Sequence, residues 1–463
     1  MTLIKSISGI RGTIGGKPDQ GLTPLDAVKY ASAYGAWMQK ENPSKKTLQV
    51  VIGRDARISG QMISAIVANT LVGMGINVTD LGLSTTPTVE MAVTELKCDG
   101  GIILTASHNP RQWNALKLLN NKGEFISEQA GQEILRLGGA ADFTYAEVDQ
   151  LGKYSTNDNF LNRHIELILA LPYVDTKSIA AANFTIVIDA INSSGAIAVP
   201  ALLDKLGVKK YTVINKETTG DFAHNPEPLP EHLKELSETV KKEKAHLGIS
   251  IDPDVDRLAF VCEDGNMFGE EYTLVAVADY VLKHKKGNTV SNLSSTRALR
   301  DVTELAGGSY SAAAVGEVNV VNKMKETNAV IGGEGNGGII LPELHYGRDA
   351  LVGIAIFLTH LAKYGKPVSE LRRSYPPYFI SKNKIELTPS IDVDKVLREM
   401  EKKYKDQPVN TIDGVKIEFD KDWVHLRKSN TEPIIRIYSE SKDEKTAGEL
   451  AKRIMADIRK IIA

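Results

Sequence analysis

Short apolar, β-forming runs alternate with amphipathic helical patterns along most of this 463-residue chain, and polar loops join them. LQVVIGRDARISGQMISAIVANTLVGMG is the first clear case: a strand at 48–52, a loop, then a helix with its apolar residues on one face. INVTDLG supplies the next strand and GGIILTASHNP another. The pattern returns in FTIVIDAINSSGAIAVPALLDKLG and in HLGISIDPDVDRLAFVCEDG, where a strand is predicted at 247–251. Strands alternating with helices predict α/β layers with mixed or parallel sheets, and ligand sites at strand ends. The pattern then changes. LRRSYPPYF closes a helix with two prolines, and a strand-rich stretch leads to the charged amphipathic helix KTAGELAKRIMADIRKIIA. This predicts a boundary near residue 370 and a smaller α+β tail.

Length and composition narrow the picture. A chain of 463 residues is too long for one hydrophobic core and suits several domains. Fifty-six basic against 58 acidic residues leave a net charge of −2, with no electrostatic footprint for nucleic acid or a membrane surface. The opening MTLIKSISGIRG lacks the apolar core of a signal peptide, and no apolar run approaches the ~20 residues that cross a bilayer. A cytoplasmic location is the expectation. Cys98 and Cys262 stand far apart in strand-like runs, which predicts core thiols rather than a disulfide framework or a sulfur-ligated metal.

Four loops carry the candidate chemistry. In GIILTASHNP a buried strand empties into Ser107, His108 and Asn109; a serine there is either a turn hydroxyl or a nucleophile. In SIDPDVDRLAF the strand delivers Asp252, Asp254 and Asp256 at alternate positions, with Arg257 next. Three carboxylates this close repel one another and call for a counter-charge. A hard divalent cation supplies it, and Mg²⁺ suits few protein ligands with phosphate completing the shell. A calcium-binding EF loop is excluded, because Arg257 stands where that loop needs glycine and the flanks are strands. Arg257 suits a charge-assisted bond to a phosphate beside the metal.

The third loop, IGGEGNGGII at 331–340, leaves Glu334 and Asn336 as its only ligand-reaching polar side chains, a set suited to sugar hydroxyls. The fourth, WVHLRKSNTEPIIRIY at 423–438, gathers Arg427, Ser429, Asn430, Thr431 and Arg436 into a candidate phosphate site. Lys117, ten residues past the serine, and Arg11 in SGIRG complete the candidates. Taken singly, each is as compatible with a surface role.

TASHNP, DPDVDR, GGEGNGG and RKSNTEP together resemble the four signature loops of the α-D-phosphohexomutases, in the order and rough spacing of that family. The resemblance spans the chain from SGIRG to the C-terminal helix. It implies three similar α/β domains, placed at 1–153, 154–256 and 257–370, and a smaller α+β domain at 371–463, around one cleft. It implies a phosphoserine at Ser107 whose phosphate joins Asp252, Asp254 and Asp256 around Mg²⁺. Reaction would then interconvert a hexose 6-phosphate and 1-phosphate through a 1,6-bisphosphate, which also serves as activator. Arg257 would stabilise charge, His108 orient the serine loop, and Lys117 and Arg11 lie near the reacting hydroxyl, Lys117 as candidate acid/base. Glu334 and Asn336 would read the sugar, and Arg427, Ser429, Asn430, Thr431 and Arg436 the non-reacting phosphate.

The sugar loop with the following PELHYGRDA most resembles phosphoglucosamine mutases. It departs from many bacterial members, which have serine and histidine where this chain has Asn336 and Gly338. The loop at 312–319 resembles a specificity loop only loosely. Glucosamine phosphate is therefore the expected substrate, with a dual phosphomannomutase/phosphoglucomutase as the alternative. A non-catalytic sugar-phosphate regulator is a distant third, since the serine and metal loops are intact. Monomer and homodimer both stay open.

Overall fold

The computed structural model describes residues 2–6, 9–386, 391–428 and 434–462. They form two compact units, Met1–Thr273 with Asn336–Glu370, and Leu274–Gly335 with Leu371–Ala463.

The first unit holds two sheets. One runs in the order Leu3–Ser6, Gly9–Thr13, Trp113–Leu119, Gly100–Leu104, Gln49–Arg54, Asn77–Leu83, Tyr154–Thr156. Its last four strands are parallel to one another, and the first three pair antiparallel. Both faces are buried, so the strands read as continuous apolar runs rather than alternating ones. Val50 and Ile52 pack with Tyr30, Ile63 and Val67 on one face, while Val51 and Ile103 meet Val89 and Ala92 on the other. The strand expected at 48–52 is thus present, shifted to Gln49–Arg54.

The second sheet orders Leu258–Cys262, Leu247–Ile251, Thr185–Asp189 and Lys210–Ile214. Its first pair is antiparallel and the rest parallel. Two of the expected boundaries fall inside paired structure. Tyr154–Thr156 hydrogen-bonds to Asn77–Leu83, carrying the first sheet past residue 153, and Leu258–Cys262 continues the second sheet past residue 256. A metal loop that sits at the tip of a hairpin needs both strands in one sheet.

In the second unit Asn288–Asn292 pairs in parallel with Tyr310–Ala313 and with Ala329–Glu334. The C-terminal sheet is wholly antiparallel, in the order Phe379–Glu386, Ile434–Ser441, Trp423–Lys428, Val415–Glu418, Val409–Asn410. Helices Val393–Lys403 and Glu444–Ile462 close its core through Leu397, Met400, Ile454 and Ile458. Cys98 and Cys262 are both buried, as core thiols should be. Among the described residues no helix is long and apolar enough to cross a membrane.

Candidate active site

Ser107 sits at the end of Gly100–Leu104 with φ +47°, a left-handed conformation that a serine adopts only when its surroundings impose it. The imposing group is Arg57, almost wholly buried. Its Nη2 donates to the carbonyls of Ser107 (2.5 Å) and Asn109 (2.6 Å), and its Nη1 to those of Pro110 and Trp113 (both 2.8 Å). Asp55 holds the guanidinium in turn, accepting from Arg57 Nε at 3.0 Å and from Thr105 Oγ1 at 2.6 Å. Thr105 Oγ1 accepts from the Ser107 amide.

The loop aims Ser107 Oγ at Asp252 Oδ2, 2.7 Å away. Asp252, Asp254 and Asp256 are fully buried, and one oxygen of each lies within 4.8 Å of the others. The hairpin loop achieves this through a local turn: Asp252 Oδ1 accepts from the amides of Asp256 and Arg257, and Val255 takes φ +61°. Thr86, at the start of helix Thr86–Glu95, holds Asp254 by its amide and by its hydroxyl at 2.6 Å. Burial and the neighbouring charges of Asp256 and Asp254 raise the Asp252 pKa well above the ordinary range. Asp256 is held below it, because Arg348, Lys117 and Arg257 outweigh the effect of burial.

Two cations hydrogen-bond to the cluster. Lys117 Nζ donates to Asp254 Oδ2 at 2.7 Å and lies 3.6 Å from Asp256, and Arg348 Nη2 donates to Asp256 Oδ2 at 2.7 Å. Burial favours a neutral Lys117, yet Asp254 and Asp256 overcome it and raise its pKa. Arg257 lies 4.0 Å from Asp256 and 3.4 Å from Glu227. His108 Nδ1 stands 3.4 Å from Ser107 Oγ, and burial together with Arg257 keeps its imidazole neutral at neutral pH. Arg11 makes a long contact, 3.5 Å, to Asn109, and burial and then Arg257 lower its pKa.

The donors fit a hard divalent cation. All are oxygens, and Asp254 Oδ1 and Asp256 Oδ1 are buried with no hydrogen-bond partner among the described residues.

Four family models of phosphoglucomutase/phosphomannomutase match in succession: α/β/α domain I at residues 3–144, domain II at 162–265, domain III at 269–378 and the C-terminal domain at 386–457. The chain belongs to the α-D-phosphohexomutases. A phosphoglucomutase/phosphomannomutase of Thermococcus kodakarensis is 36% identical over 95% of this chain and 96% of its own. A phosphoglucosamine/phosphogalactosamine mutase of Sulfurisphaera tokodaii is 32% identical over 96% and 97%. Among solved structures, a phosphoglucomutase/phosphomannomutase family protein of Burkholderia thailandensis superposes with a TM-score of 0.84 at 25% identity, covering 99% of this chain and 97% of that one. The protein is thus a phosphohexomutase, an isomerase of carbohydrate metabolism with a metal-binding aspartate triad.

The remaining expected residues of this phosphohexomutase divide between the units. In the first, Asn336 Oδ1 accepts from the Gly338 amide at 3.2 Å. Gly337, at φ +86°, lies so close to the strand after the triad that a Cβ would stand 2.1 Å from the Leu258 carbonyl. In the second, Glu334 is buried and its Oε1 accepts from Asn292 Nδ2 (2.8 Å) and the Gly316 amide (3.1 Å). Arg427 and Arg436 sit directly opposite on adjacent strands. Like charges so placed repel, and Asp413 bonds Arg427 at 3.1 Å. Ser429, Asn430 and Thr431 lie outside the described residues.

Three residues with structural parts in this site escaped the sequence reading: Arg57, Thr86 and Arg348. The signal for Arg57 was the charged GRDAR directly after a strand. Nothing local marks Thr86, which reads as a helix start. Arg348 stands in PELHYGRDA, a stretch that resembles the family but gives the arginine no role by itself.

Proposed function

We propose that this phosphohexomutase interconverts the 6- and 1-phosphates of a hexosamine, glucosamine phosphate before others, by passing a phosphoryl group through Ser107. The observation that carries the reading is Ser107 Oγ held 2.7 Å from the aspartate triad on a loop that Arg57 keeps strained. Ser107, Asp252, Asp254 and Asp256 would hold Mg²⁺, which supplies charge neutralisation on the transferring group.

The remaining work falls to the chain. Phosphoserine gives its phosphoryl group to a sugar hydroxyl: the Ser107 Oγ–P bond breaks, a new P–O bond forms on the sugar, and the hydroxyl proton leaves. Neutral His108 is the neighbour able to take that proton. Lys117, kept as an ammonium by Asp254 and Asp256, is suited to donating one to Ser107 Oγ as it leaves. The 1,6-bisphosphate then reorients, and Ser107 accepts the other phosphoryl group. Arg257 and Arg11 stabilise the charge that develops, where most of the advantage in phosphoryl transfer lies. Glu334 and Asn336 read the sugar; Arg427, Ser429, Asn430, Thr431 and Arg436 bind the phosphate that stays.

Support for an amino sugar is the resemblance of the sugar loop together with the Sulfurisphaera tokodaii relative. The 36% identical Thermococcus kodakarensis relative favours a second reading, dual phosphomannomutase/phosphoglucomutase activity. A competition assay decides. The protein, with Mg²⁺ and a trace of hexose 1,6-bisphosphate, receives equal glucosamine, mannose and glucose 6-phosphates, followed by phosphorus NMR. Glucosamine 6-phosphate is expected to convert first, and Ser107→Ala to bind sugar phosphate without turnover. Faster mannose or glucose conversion establishes the second reading. Unchanged turnover in Ser107→Ala removes the phosphoserine.

A further inference from the structure

A second cluster of metal-type donors lies in the first unit, outside the aspartate triad. His164 comes from helix Phe160–Leu169 and Asp349 caps helix Ala350–Tyr364, while His345 lies in the loop before it. One ligand atom from each lies within 4.8 Å of the other two. His164 and Asp349 are wholly buried, and the His345 side chain is 9% exposed.

We propose that His164, His345 and Asp349 form a binding site for a zinc-type transition-metal ion, distinct from the oxygen-only triad.

The orientation of every group supports coordination. Asp349 uses Oδ1 to cap its helix, accepting from the amides of Leu351 and Val352. That leaves Oδ2 facing both rings, 3.0 Å from His164 Nε2 and 3.4 Å from His345 Nε2. Metal–ligand bonds of about 2.0–2.2 Å in a tetrahedral shell place donors roughly 3.4 Å apart, close to both separations from Asp349 Oδ2. The outer nitrogens are arranged as metal-bound imidazoles require. His164 Nδ1 lies 3.0 Å from Thr88 Oγ1, and His345 Nδ1 lies 3.4 Å from Glu90 Oε2. With an ion bound, a ring whose Nδ1 faces a hydroxyl or carboxylate can carry its proton there and turn Nε2 to the metal.

A second observation is independent of these distances. Among the described residues His345 Nδ1, which is buried, has no hydrogen-bond partner, and the Glu90 carboxylate stands 3.4 Å from it. Room for that carboxylate exists because residue 347 is glycine: a Cβ there would stand 1.9 Å from Glu90 Oε2.

Two imidazoles and a carboxylate select zinc and its neighbours over magnesium, which prefers oxygen alone. Three protein ligands leave a position for water. The site adjoins the triad's supports, since helix Thr86–Glu95 carries Thr88 and Glu90 beside the imidazoles as well as Thr86, which holds Asp254, and Arg348, which bonds Asp256, directly precedes Asp349.

The test is titration of the chelator-treated full chain with cobalt(II) in excess Mg²⁺, read by visible ligand-field bands and by retained metal per chain. One equivalent is expected, with the bands of a nitrogen-containing shell, displaced by zinc(II). Asp254→Asn should keep the bands, His345→Gln should lose them, and Thr88→Val should weaken binding about tenfold through the outer shell. The absence of bands in the wild type overturns the proposal, as does their loss in Asp254→Asn with survival in His345→Gln. If His345→Gln fails to fold by circular dichroism, the wild type and Asp254→Asn decide it alone. The outcome is independent of which sugar phosphate the enzyme turns over.

Discussion

Ser107 shows how little of its setting is local. Its type and place at a strand end are in the sequence, but its left-handed backbone is imposed by Arg57, fifty residues earlier. Arg57 and Asp55 are both buried, so each is the other's counter-charge, and four loop carbonyls depend on the same guanidinium. Removing one partner of a buried ion pair strands the other. Arg57→Met is therefore expected to cost about 3–5 kcal/mol in chemical denaturation and to abolish turnover by releasing the serine loop. A stable, active Arg57→Met protein would show that the loop holds itself. Lys117 and His108 carry the complementary lesson. The sequence offered Lys117 as an acid/base of either sense, and only the charges around it favour a donor.

At the scale of elements, the triad is the tip of a hairpin whose return strand leans on the sugar loop. Leu258 donates its amide to the Gly337 carbonyl at 3.1 Å, and Gly337 has no room for a side chain against the Leu258 carbonyl. Its φ of +86° independently disfavours any other residue. Gly337→Ala should lower thermal stability by at least about 1–2 kcal/mol from backbone conformation alone. By pushing on the strand after Arg257 it should also raise the Mg²⁺ concentration needed for half-maximal activity. An unchanged magnesium requirement would mean that hairpin and loop move separately. The sequence marks the glycine run only as a candidate ligand loop; that one of its glycines serves strand packing was not legible there.

Across the molecule, buried titratable groups set the response to pH, and the second unit holds a clear case. His425 is buried; its Nε2 donates to the Asp413 carbonyl at 2.6 Å and its Nδ1 accepts from Ser294 Oγ at 2.8 Å. Burial, with Lys416 adding to it, brings the pKa from 6.5 to about 4. The unfolded chain therefore binds a proton that the folded chain refuses between those values, and stability falls as pH drops through that window. The full effect is on the order of 3 kcal/mol. Denaturation midpoints measured near neutral pH and near pH 5 should fall less in His425→Gln than in the wild type. Equal falls would assign the acid sensitivity to other groups.

The α/β alternation, the change of pattern near residue 370 and the aspartate loop were legible in the sequence, because each rests on local periodicity or on chemistry concentrated within a few residues. Sheet membership was not: Tyr154–Thr156 pairs with the distant Asn77–Leu83, and Leu258–Cys262 with its hairpin partner Leu247–Ile251, each across an expected boundary. The sequence also left open which loops meet and in what charge state. Folding brings Ser107 to Asp252, Thr86 and Lys117 to Asp254, Arg348 to Asp256 and His164 to Asp349, over separations of 92 to 185 residues. Those contacts arise from burial of both faces of the sheets, a property of the packed layers that no short stretch of chain contains.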